Sequence, residues 1–364
     1  MPVVGVEPQW TPHSGYHWHG DSRRFFEGWY FRLTLPEVGQ SFAFMYSIDD
    51  PGGQTALSGG AAQILGPDDR YLYCPFPDVN GFWAWSHRLG LGHWTTEPIQ
   101  ETPRYLTPES FHQQITRGYQ VTSTHHQGCL KDDQTGAIAR WDYQIQPRYG
   151  WGPGPQRPTA GWLSYLPIFE PGWQVLMAHG WASGWVDWQG HRYTFEAAPA
   201  YSEKNWGGAF PQKWFWIQAN CFTEYPDLTL TAAGGKRQVF SQTETVGLIG
   251  LHHQGRFIDL SSLNAQLCWQ VSPWGSWQMI AQNHRYRIVL QGTTEREPAP
   301  VRVPTRKGLQ WHCWDTTRGQ LTLQLWQQKN LAPKKLLLEA KTNLAGLEVG
   351  GLGWTDPWHH PEAP

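Results

Sequence analysis

The feature that most constrains the fold is a long succession of short, aromatic-rich segments, separated by turn residues about every ten positions. One example is "FFEGWYFRLTL" followed by "QSFAFMYSI", two predicted strands that are joined by "PEVG". Aromatic side chains favour strands, while the 39 Gly and 28 Pro of the sequence interrupt them. Helical periodicity is confined to residues 107–119, where Thr107 is the predicted N-cap and Pro108 the first helical residue. The pattern predicts an all-β protein with very little helix.

The number of strands also indicates how they assemble. Antiparallel strands in such numbers close into barrels or pack as sandwiches, because open edges invite aggregation. A length of 364 residues favours two domains or one large β assembly. The segment that begins at Tyr201 lies between two strand-rich halves. We therefore predict an N-terminal β-barrel domain over residues 1–200 and a C-terminal one over residues 201–364. The loose similarity of "GWYFRL" and "KWFWIQ" suits two related barrels.

Charge and motifs exclude several classes of function. Lys and Arg total 28 against 30 Asp and Glu, a formal net charge of -2, so nucleic acid is not an expected partner. The patterns G-x-S-x-G, G-x-x-x-x-G-K and H-E-x-x-H do not occur, which argues against serine hydrolases, NTPases and zinc proteases. His17 and His19 would share one face of a strand. No third ligand stands at a suitable spacing, so no metal is expected.

Cysteine usage and hydropathy indicate the compartment. The five cysteines are scattered, odd in number and never form C-x-x-C, which is typical of buried thiols in a reducing compartment. The N-terminal segment has no signal-peptide pattern. No apolar run approaches the roughly 20 residues needed to span a bilayer. We therefore expect a cytoplasmic protein, either soluble or peripherally attached to a membrane.

The segment "KWFWIQANCF", residues 213–222, predicts one wall of a ligand pocket. Successive side chains of a strand point to opposite faces. One face would carry Phe215, Ile217, Ala219 and Cys221. The other would carry Trp214, Trp216, Gln218 and Asn220. Since neither face is suited to solvent, the strand is interpreted as a wall between a packed core and a pocket whose amides orient a ligand. The alternative is that both amides are core groups that bond to nearby backbone.

The segment "YSEKNWGG", residues 201–208, precedes that strand and carries three polar side chains, Glu203, Lys204 and Asn205. One interpretation is a surface turn with solvated charges. The other is a catalytic segment, because burial in a Trp-lined cavity would raise the pKa of a carboxylic acid towards neutrality, as an acid catalyst requires. Lys204 would oppose that shift if it lay close to the carboxyl group.

A Pro- and Gly-rich block, "PRYGWGPGPQRPTAGWLSYLPIFEPGW", occupies residues 147–173. Its composition argues against regular structure, and its length is too great for a simple connection. We expect a lid, a crossover or a pocket wall there.

Several long blocks of the sequence resemble the tocopherol cyclase family. They include "HSGYHWHGDSRRFFEGWYFRLTLPEVGQSFAFMYSIDDP", "PIFEPGWQVLMAHGWASGWVDW", "YSEKNWGGAFPQKWFWIQANCF" and "LEVGGLGW", and they run in order from about residue 13 to residue 354. The resemblance implies cofactor-free conversion of a prenylated benzoquinol, such as a dimethyl-phytylbenzoquinol, to the chromanol ring of a tocopherol in vitamin E biosynthesis. Plant members carry a plastid transit peptide, so the short N-terminus here indicates a cyanobacterial type.

A more distant resemblance is to carotenoid hydratases and other members of a lipocalin-like superfamily. It implies an all-β fold of two lipocalin-like antiparallel β-barrel domains packed together. Those enzymes carry a motif of the type D-H-E-W, for which this sequence offers "EKNW" at residues 203–206, without the His. The departure moves the expected proton donor to Glu203, with Asp49 or Asp50 of "SIDDP" as the reserve.

Both resemblances imply one chemical problem. Protonation of a trisubstituted alkene gives a tertiary carbocation, which is captured by the substrate's phenol oxygen in a cyclase or by water in a hydratase. The residues expected to take part in catalysis are Glu203, Lys204, Asn205, Trp206 and Asp49. Those expected to bind the substrate, through aromatic faces that stabilise the cation or through polar groups, are Trp29, Tyr30, Tyr46, Trp214, Trp216, Gln218 and Asn220.

The expected partner is a hydrophobic prenylated quinol, without a cofactor. Because a C20 tail resides in a membrane, we also expect peripheral contact with a thylakoid or other internal membrane, around residues 151–162. Two alternative functions stay open, a lipocalin-like binding protein for prenylquinones or other lipids and an isoprenoid alkene hydratase. The oligomeric state is left open.

Overall fold

The computed structural model describes residues 11–20, 23–95, 104–154, 156–166, 169–239, 242–329 and 332–361. The N-terminal segment on which the signal-peptide prediction rests lies largely outside the described residues. Strands make up 62% of the structure and helices 6%, which confirms the predicted all-β class with very little helix.

One large antiparallel sheet is built from the first half of the chain. The strands up to Gly207 are β1 (Phe26–Leu35), β2 (Gln40–Asp49), β3 (Gly59–Leu65), β4 (Tyr71–Phe76), β5 (Phe82–Ala84), β6 (Gly90–Trp94), β7 (Gly118–Thr122), β8 (His125–Lys131), β9 (Ile138–Tyr149), β10 (Phe169–Glu170), β11 (Gly172–Trp188) and β12 (His191–Gly207). All except β10 form the first sheet, in the order β4-β3-β2-β1-β12-β11-β9-β8-β7-β6-β5.

A second antiparallel sheet is built from the rest of the chain together with β10. Its further strands are β13 (Lys213–Ala219), β14 (Thr229–Val239), β15 (Gln242–His253), β16 (Arg256–Ser261), β17 (Gln266–Val271), β18 (Ser276–Gln282), β19 (Tyr286–Thr293), β20 (Ala299–Thr305), β21 (Gly308–Lys329), β22 (Ala332–Gly351) and β23 (Trp358–His360). The main order is β16-β15-β14-β13-β22-β21-β19-β18-β17-β23, with β10 beside β14 and β20 beside β21. The chain passes from the first sheet to the second between Gly207 and Lys213, while the boundary between residues 200 and 201 stays a prediction.

The described helices are few and short. Helix α1 (Pro108–Gln114) begins as the sequence indicates, with the Thr107 hydroxyl accepting a hydrogen bond from the Ser110 amide at 3.3 Å. It ends four residues before Gly118, because Ile115 is extended and buried and the chain then enters β7. Single 3₁₀ turns occupy Pro36–Val38, Pro67–Asp69, Val79–Gly81 and Gly161–Tyr165. No helix in the described ranges is long and apolar enough to cross a membrane.

Each sheet curls around its own hydrophobic core. In β1, Trp29, Phe31 and Leu33 pack into the first core. In β13, Phe215 and Ile217 pack into the second core. The alternate side chains of these two strands point to the opposite side, where the sheets face each other. The result is a pair of curled antiparallel half-barrels, which confirms the predicted fold class.

Arg32 of β1 joins the two sheets. Its buried guanidinium donates to Gln218 Oε1 of β13 at 2.6 Å, and to the carbonyl oxygens of Thr317 and Leu344, both at 2.7 Å. All three acceptors belong to the second half of the chain. The hydrogen bonds therefore fix β1 against the second sheet, beside the place where a cavity opens between the sheets.

Candidate active site

A cavity of about 900 Å³ lies between the two sheets, within the range of roughly 300 to 1,000 Å³ that is usual for small-molecule sites. Both sheets contribute to its wall, the first through β1, β2 and β12 and the second through β13, β14, β20 and β22. Since the inner side of each sheet is filled by core side chains, the space for a ligand is the seam between the sheets.

Strand register places the main side chains on this wall. Tyr30 of β1 lies directly opposite Glu203 of β12 in the first sheet. Trp216 of β13 lies directly opposite Glu348 of β22 in the second sheet. Directly opposed residues of an antiparallel pair share one face, so each sheet presents an aromatic ring and a carboxyl group together. All four residues line the cavity.

Glu203 is a carboxyl group held by neutral donors. Its side chain is buried, and its Oε2 accepts hydrogen bonds from the Tyr201 hydroxyl at 2.5 Å and from Trp216 Nε1 at 3.1 Å. Burial raises the pKa of Glu203 to about 7, with a further contribution from the nearby Glu348, while the hydrogen bonds act in the opposite direction. A large fraction of this group is therefore protonated near neutral pH.

Lys204 points to the other side of β12. Its ammonium group forms a buried ion pair with Glu27 and donates to the carbonyl oxygen of Gly15 at 2.6 Å. It also lies over the rings of Trp29 and Trp206, at 5.6 and 5.3 Å from their centroids. Neighbouring side chains in a strand alternate in direction, so Lys204 does not offset the raised pKa of Glu203.

Several other predicted residues are brought together at the cavity. The predicted aromatic and amide residues that line the cavity are Trp29, Tyr30, Tyr46, Asn205, Trp206, Trp214 and Trp216. Tyr46 is tied to the first core, because its hydroxyl bonds to His126 Nε2 at 2.5 Å and its ring stacks on that of Tyr119 with centroids 3.8 Å apart.

Like Lys204, four further predicted residues lie away from the cavity wall. Asn220 donates to the carbonyl oxygen of Ala200 at 2.9 Å, which agrees with the core-amide interpretation, whereas Gln218 accepts from the Arg32 side chain rather than bonding to backbone. Asp49 and Asp50 form ion pairs with Arg24. Burial raises the pKa of Asp49 to about 6, but neither Asp49 nor Asp50 is among the residues that line the cavity.

Two buried acids of the second sheet belong to this region, Glu348 in the cavity wall and Asp315 next to it, and the sequence analysis did not single them out. Glu348 accepts a hydrogen bond from Trp214 Nε1, and burial raises the pKa of its carboxyl group. Asp315 of β21 is its direct partner in register and is buried behind it. The sequence feature that could have pointed to Glu348 is the block "LEVGGLGW", which contains it. Gly350 of the same block has a structural role. A side chain at Gly350 would collide with the ring of Trp214, so the glycine lets the indole lie close to β22.

Three histidines near the N-terminus also line the cavity, His13, His17 and His19. His17 stacks on Trp206 with ring centroids 4.0 Å apart, and His13 Nε2 bonds to the Ser164 hydroxyl at 2.9 Å. Burial lowers the pKa of the His13 and His17 rings. No group of three or more His, Cys, Asp or Glu placed to hold a metal ion occurs among the residues that the structure describes.

The fold and the site define a class of protein, one in which two curled antiparallel sheets enclose a large aromatic-lined cavity with buried acids in its wall. A family described as tocopherol cyclase-like matches residues 23–351. The chain is 42% identical over 380 aligned positions to a probable chloroplastic tocopherol cyclase of Oryza sativa subsp. japonica, covering 96% of this chain and 80% of the relative. It is also 42% identical over 376 positions to a chloroplastic tocopherol cyclase of Zea mays, covering 96% and 79%.

The chain belongs to the tocopherol cyclase-like family. The predicted function, that of a tocopherol cyclase, is confirmed, and so is the prediction that the chain is an enzyme. The cyanobacterial origin and the attachment to an internal membrane stay predictions.

Solved structures with a similar fold are much more distant in sequence than these two relatives. CghA is 7% identical, with a TM-score of 0.49 over 91% of this chain and 89% of that one. An AttH protein of Nitrosomonas europaea is 12% identical, with a TM-score of 0.47 over 96% and 99%. At these values the two likenesses add nothing to the argument about function.

Proposed function

We propose that the enzyme closes the chromanol ring of a prenylated benzoquinol of the dimethyl-phytylbenzoquinol type in the cavity between the sheets, with Glu203 as the proton donor. The observation that carries the proposal is the state of Glu203, a buried acid with a pKa near 7 in an aromatic wall. A general acid works best when its pKa lies near the working pH, because it is then both protonated and able to release the proton.

The acid side chains that line the cavity differ in their suitability as donors. Glu244 and Asp259 also belong to the lining, but Glu244 forms an ion pair with Arg237, and the Asp259 side chain, whose pKa is raised to about 6, is open to solvent. Glu203 is enclosed by Tyr30, Tyr201 and Trp216. A proton released inside this apolar wall reaches the alkene without competing bulk water, which would otherwise capture the cation and yield a tertiary alcohol.

Protonation gives a tertiary cation, which must be stabilised by groups that do not attack it as nucleophiles. Tyr30, Trp214 and Trp216 present aromatic rings to the same part of the cavity. The π face of an aromatic ring attracts a cation, by about 2 kcal/mol when the site is dry. We assign this role to the three rings, and we assign to Asn205, which also lines the cavity, a hydrogen bond to a quinol hydroxyl.

The hydrophobic substrate must reach the seam. The lining residues Tyr165 and Leu263 are 56% and 71% exposed, so the cavity reaches the surface between the Gly161–Tyr165 turn and the chain after β16. Trp162 of the same turn is 69% exposed. Large apolar side chains at a pocket mouth are suited to a lipid surface. We therefore assign this rim, Trp162, Tyr165 and Leu263, as the place where the enzyme contacts the membrane that holds the substrate.

The test of the donor is a Glu203→Gln variant, which keeps the size and the hydrogen-bonding capacity of the side chain but has no proton to give. We expect turnover of a reduced phytylbenzoquinol to fall about 100-fold or more, the contribution typical of general acid catalysis. Binding of the quinol, measured by quenching of tryptophan fluorescence, should change little. Turnover at the wild-type rate would show that another group donates the proton.

A further inference from the structure

Glu348 is a second carboxyl group in the cavity wall. The proposed function uses Glu203 as the proton donor and assigns no role to Glu348. It lies opposite Trp216 in the register of β13 and β22, and the Trp216 indole donates to Glu203 at 3.1 Å. The two acids therefore approach the same tryptophan from opposite sheets. A ligand held against Trp216 would have one carboxyl group on each side.

Asp315 is the acid next to Glu348, and burial together with the Glu348 charge raises the pKa of Asp315. The two residues are direct partners in β21 and β22, and Asp315 is 1% exposed. Neither carboxyl oxygen of Asp315 has a hydrogen-bond partner within the described part of the chain. Two buried carboxyl groups at such close range do not both ionise, because each charge disfavours the other. The pair therefore holds at least one proton and carries at most one negative charge.

Arg32 is a buried cation that acts on this pair and favours one negative charge there. Arg32 donates only to neutral acceptors, Gln218, Ser41 and two backbone carbonyls, and its charge lowers the pKa of Asp315. The titratable groups that act on this cluster are Glu203, Tyr30, Cys313, Asp69 and Arg32. The single positive charge of the Arg32 guanidinium faces three buried acids, Glu203, Glu348 and Asp315. This balance favours one ionised carboxyl group, which we place in the Asp315–Glu348 pair, and leaves Glu203 neutral. This is the arrangement of one acid and one base at the same cavity.

We propose that Glu348 is the base of the cyclisation, the group that takes the phenolic proton as the new C–O bond forms. The inference rests on the proposed function. The carboxyl group of Glu203 transfers its proton to the alkene, whose π bond breaks as a C–H bond forms. The phenol oxygen then attacks the tertiary cation, and its O–H proton passes to Glu348. The substrate and the chromanol are isomers, so no oxidant or other reactant is consumed.

Tyr30 is suited to restore the starting state. Its hydroxyl is buried, has no hydrogen-bond partner within the described ranges, and lies within the electrostatic influence of Glu203, Glu348 and Asp315. After the product leaves, the proton on Glu348 must return to the Glu203 carboxylate. We assign the Tyr30 hydroxyl as the link between them.

The test is the product distribution of a Glu348→Gln variant in D₂O with a reduced phytylbenzoquinol. Protonation of the alkene by Glu203 continues, but the phenol no longer loses its proton to a base. The cation then loses a neighbouring proton or captures water. We expect the chromanol fraction of all deuterated products to fall about tenfold, with the remainder as isomerised quinol and tertiary alcohol. A chromanol fraction and rate equal to those of the wild type would overturn the proposal.

Two further variants separate this role from a structural one. Asp315→Asn removes the neighbouring buried acid, which does not line the cavity, so Glu348 no longer has a like charge beside it and the loss of chromanol on acidification should move to lower pH. If the chromanol fraction falls in Asp315→Asn but does not fall in Glu348→Gln, the base is Asp315 instead. Trp214→Phe keeps both acids and removes the donor that stabilises the Glu348 carboxylate. It should lower the chromanol fraction by a smaller factor, and no change would count against Glu348 even if Glu348→Gln did not fold.

The donor and the base can fail independently in these experiments. If the Glu203→Gln variant incorporates deuterium at the wild-type rate, Glu203 is not the proton donor. The role of Glu348 as the base is then decided by the Glu348→Gln variant. The chromanol fraction in Glu348→Gln is measured among molecules that have already been protonated, so it reports on the base whichever group donates.

Discussion

Two buried glutamates on the paired strands β1 and β12 show how surroundings decide what one residue type can do. Glu27 lies beside Lys204 and His17, and these partners hold the pKa of Glu27 below its usual value despite complete burial. Among the described residues, the hydrogen-bond donors to Glu203 are neutral, and burial raises its pKa to about 7. The first is a structural anion, while the second is an acid that can give its proton near neutral pH.

The pH dependence of the reaction follows from this difference. The protonated form of Glu203 is the active one, so kcat/KM should fall about tenfold per pH unit above about pH 7, and protonation of the base Glu348 should lower it again at the acidic end of the profile. The Tyr201 hydroxyl stabilises the carboxylate, so a Tyr201→Phe variant should raise the pKa of Glu203 and move this fall to higher pH. The measurement is a pH–rate profile of wild type and variant.

A matched control is Tyr119→Phe, which removes a buried hydroxyl that neither contacts Glu203 nor lines the cavity. Its profile should coincide with that of the wild type. A rate that rises through pH 7, or a Tyr201→Phe profile that does not move, would contradict the assignment of Glu203.

The two sheets repeat one arrangement of strands, and β1 and β13 occupy equivalent places in it. β1 lies between β2 and β12, and β13 lies between β14 and β22. Both present a core face to their own sheet and a second face to the other sheet. The similarity of "GWYFRL" and "KWFWIQ" thus falls on equivalent strands, which supports the interpretation of two related units.

Alternation within a strand is a local property, so the sequence indicated which side chains of residues 213–219 face the cavity. For Glu203 it left open a solvated surface turn and a buried acid, and the structure buries the side chain. The sequence did not indicate Glu348, because the pairing of β13 with β22 joins segments more than a hundred residues apart. Nor did it indicate the roles of Lys204 and Gln218, whose partners Glu27 and Arg32 belong to β1. Such pairings depend on the assembled sheets and leave no local pattern.

Arg32 provides a test of how the strands are held together across the seam. An Arg32→Met variant would leave three buried acceptors of the second sheet without their donor. Each buried unsatisfied acceptor costs about 1 to 3 kcal/mol, so the free energy of unfolding should fall by about 3 kcal/mol or more. The measurement is urea unfolding followed by tryptophan fluorescence.

The control for this change is Arg192→Met at the end of the first sheet. Arg192 is largely exposed, and its ion pair with Asp187, at 3.6 Å, is of the kind that contributes at most about 1 kcal/mol. An equal loss of stability in both variants would mean that Arg32 does not join the sheets in the way described.

The position of the ligand space distinguishes this molecule from a barrel that holds its ligand inside. Each half-barrel is filled by its own core, and the cavity forms only where the two halves meet. The donor Glu203 and the base Glu348 belong to different sheets. Catalysis by this pair therefore requires both halves, and the geometry that selects one stereochemical outcome is set by how they pack.

Membrane contact through the rim can be tested on the intact enzyme. A double variant, Trp162→Ser with Leu263→Ser, removes two exposed apolar side chains at the cavity mouth. The fraction that floats with liposomes of chloroplast-type galactolipids should fall severalfold, because apolar contacts with the lipid are lost. The turnover of detergent-dispersed quinol should be retained.

The matched control is Trp311→Ser with Leu352→Ser, which changes an exposed tryptophan and an exposed leucine that are not among the lining residues of the cavity. Its flotation should equal that of the wild type. No flotation of the wild type, or an equal loss in both double variants, would contradict the assignment of the rim.

Proton-initiated ring closure is tested by one incubation of the wild-type enzyme with a reduced phytylbenzoquinol in D₂O, without oxygen. The products are analysed by chiral chromatography and mass spectrometry. We predict a single chromanol enantiomer with one deuterium on the carbon next to the new ether carbon, because the proton comes from an exchangeable acid in a rigid cavity. A chromanol without deuterium, or a racemic one, would contradict protonation of the alkene by an enzyme acid.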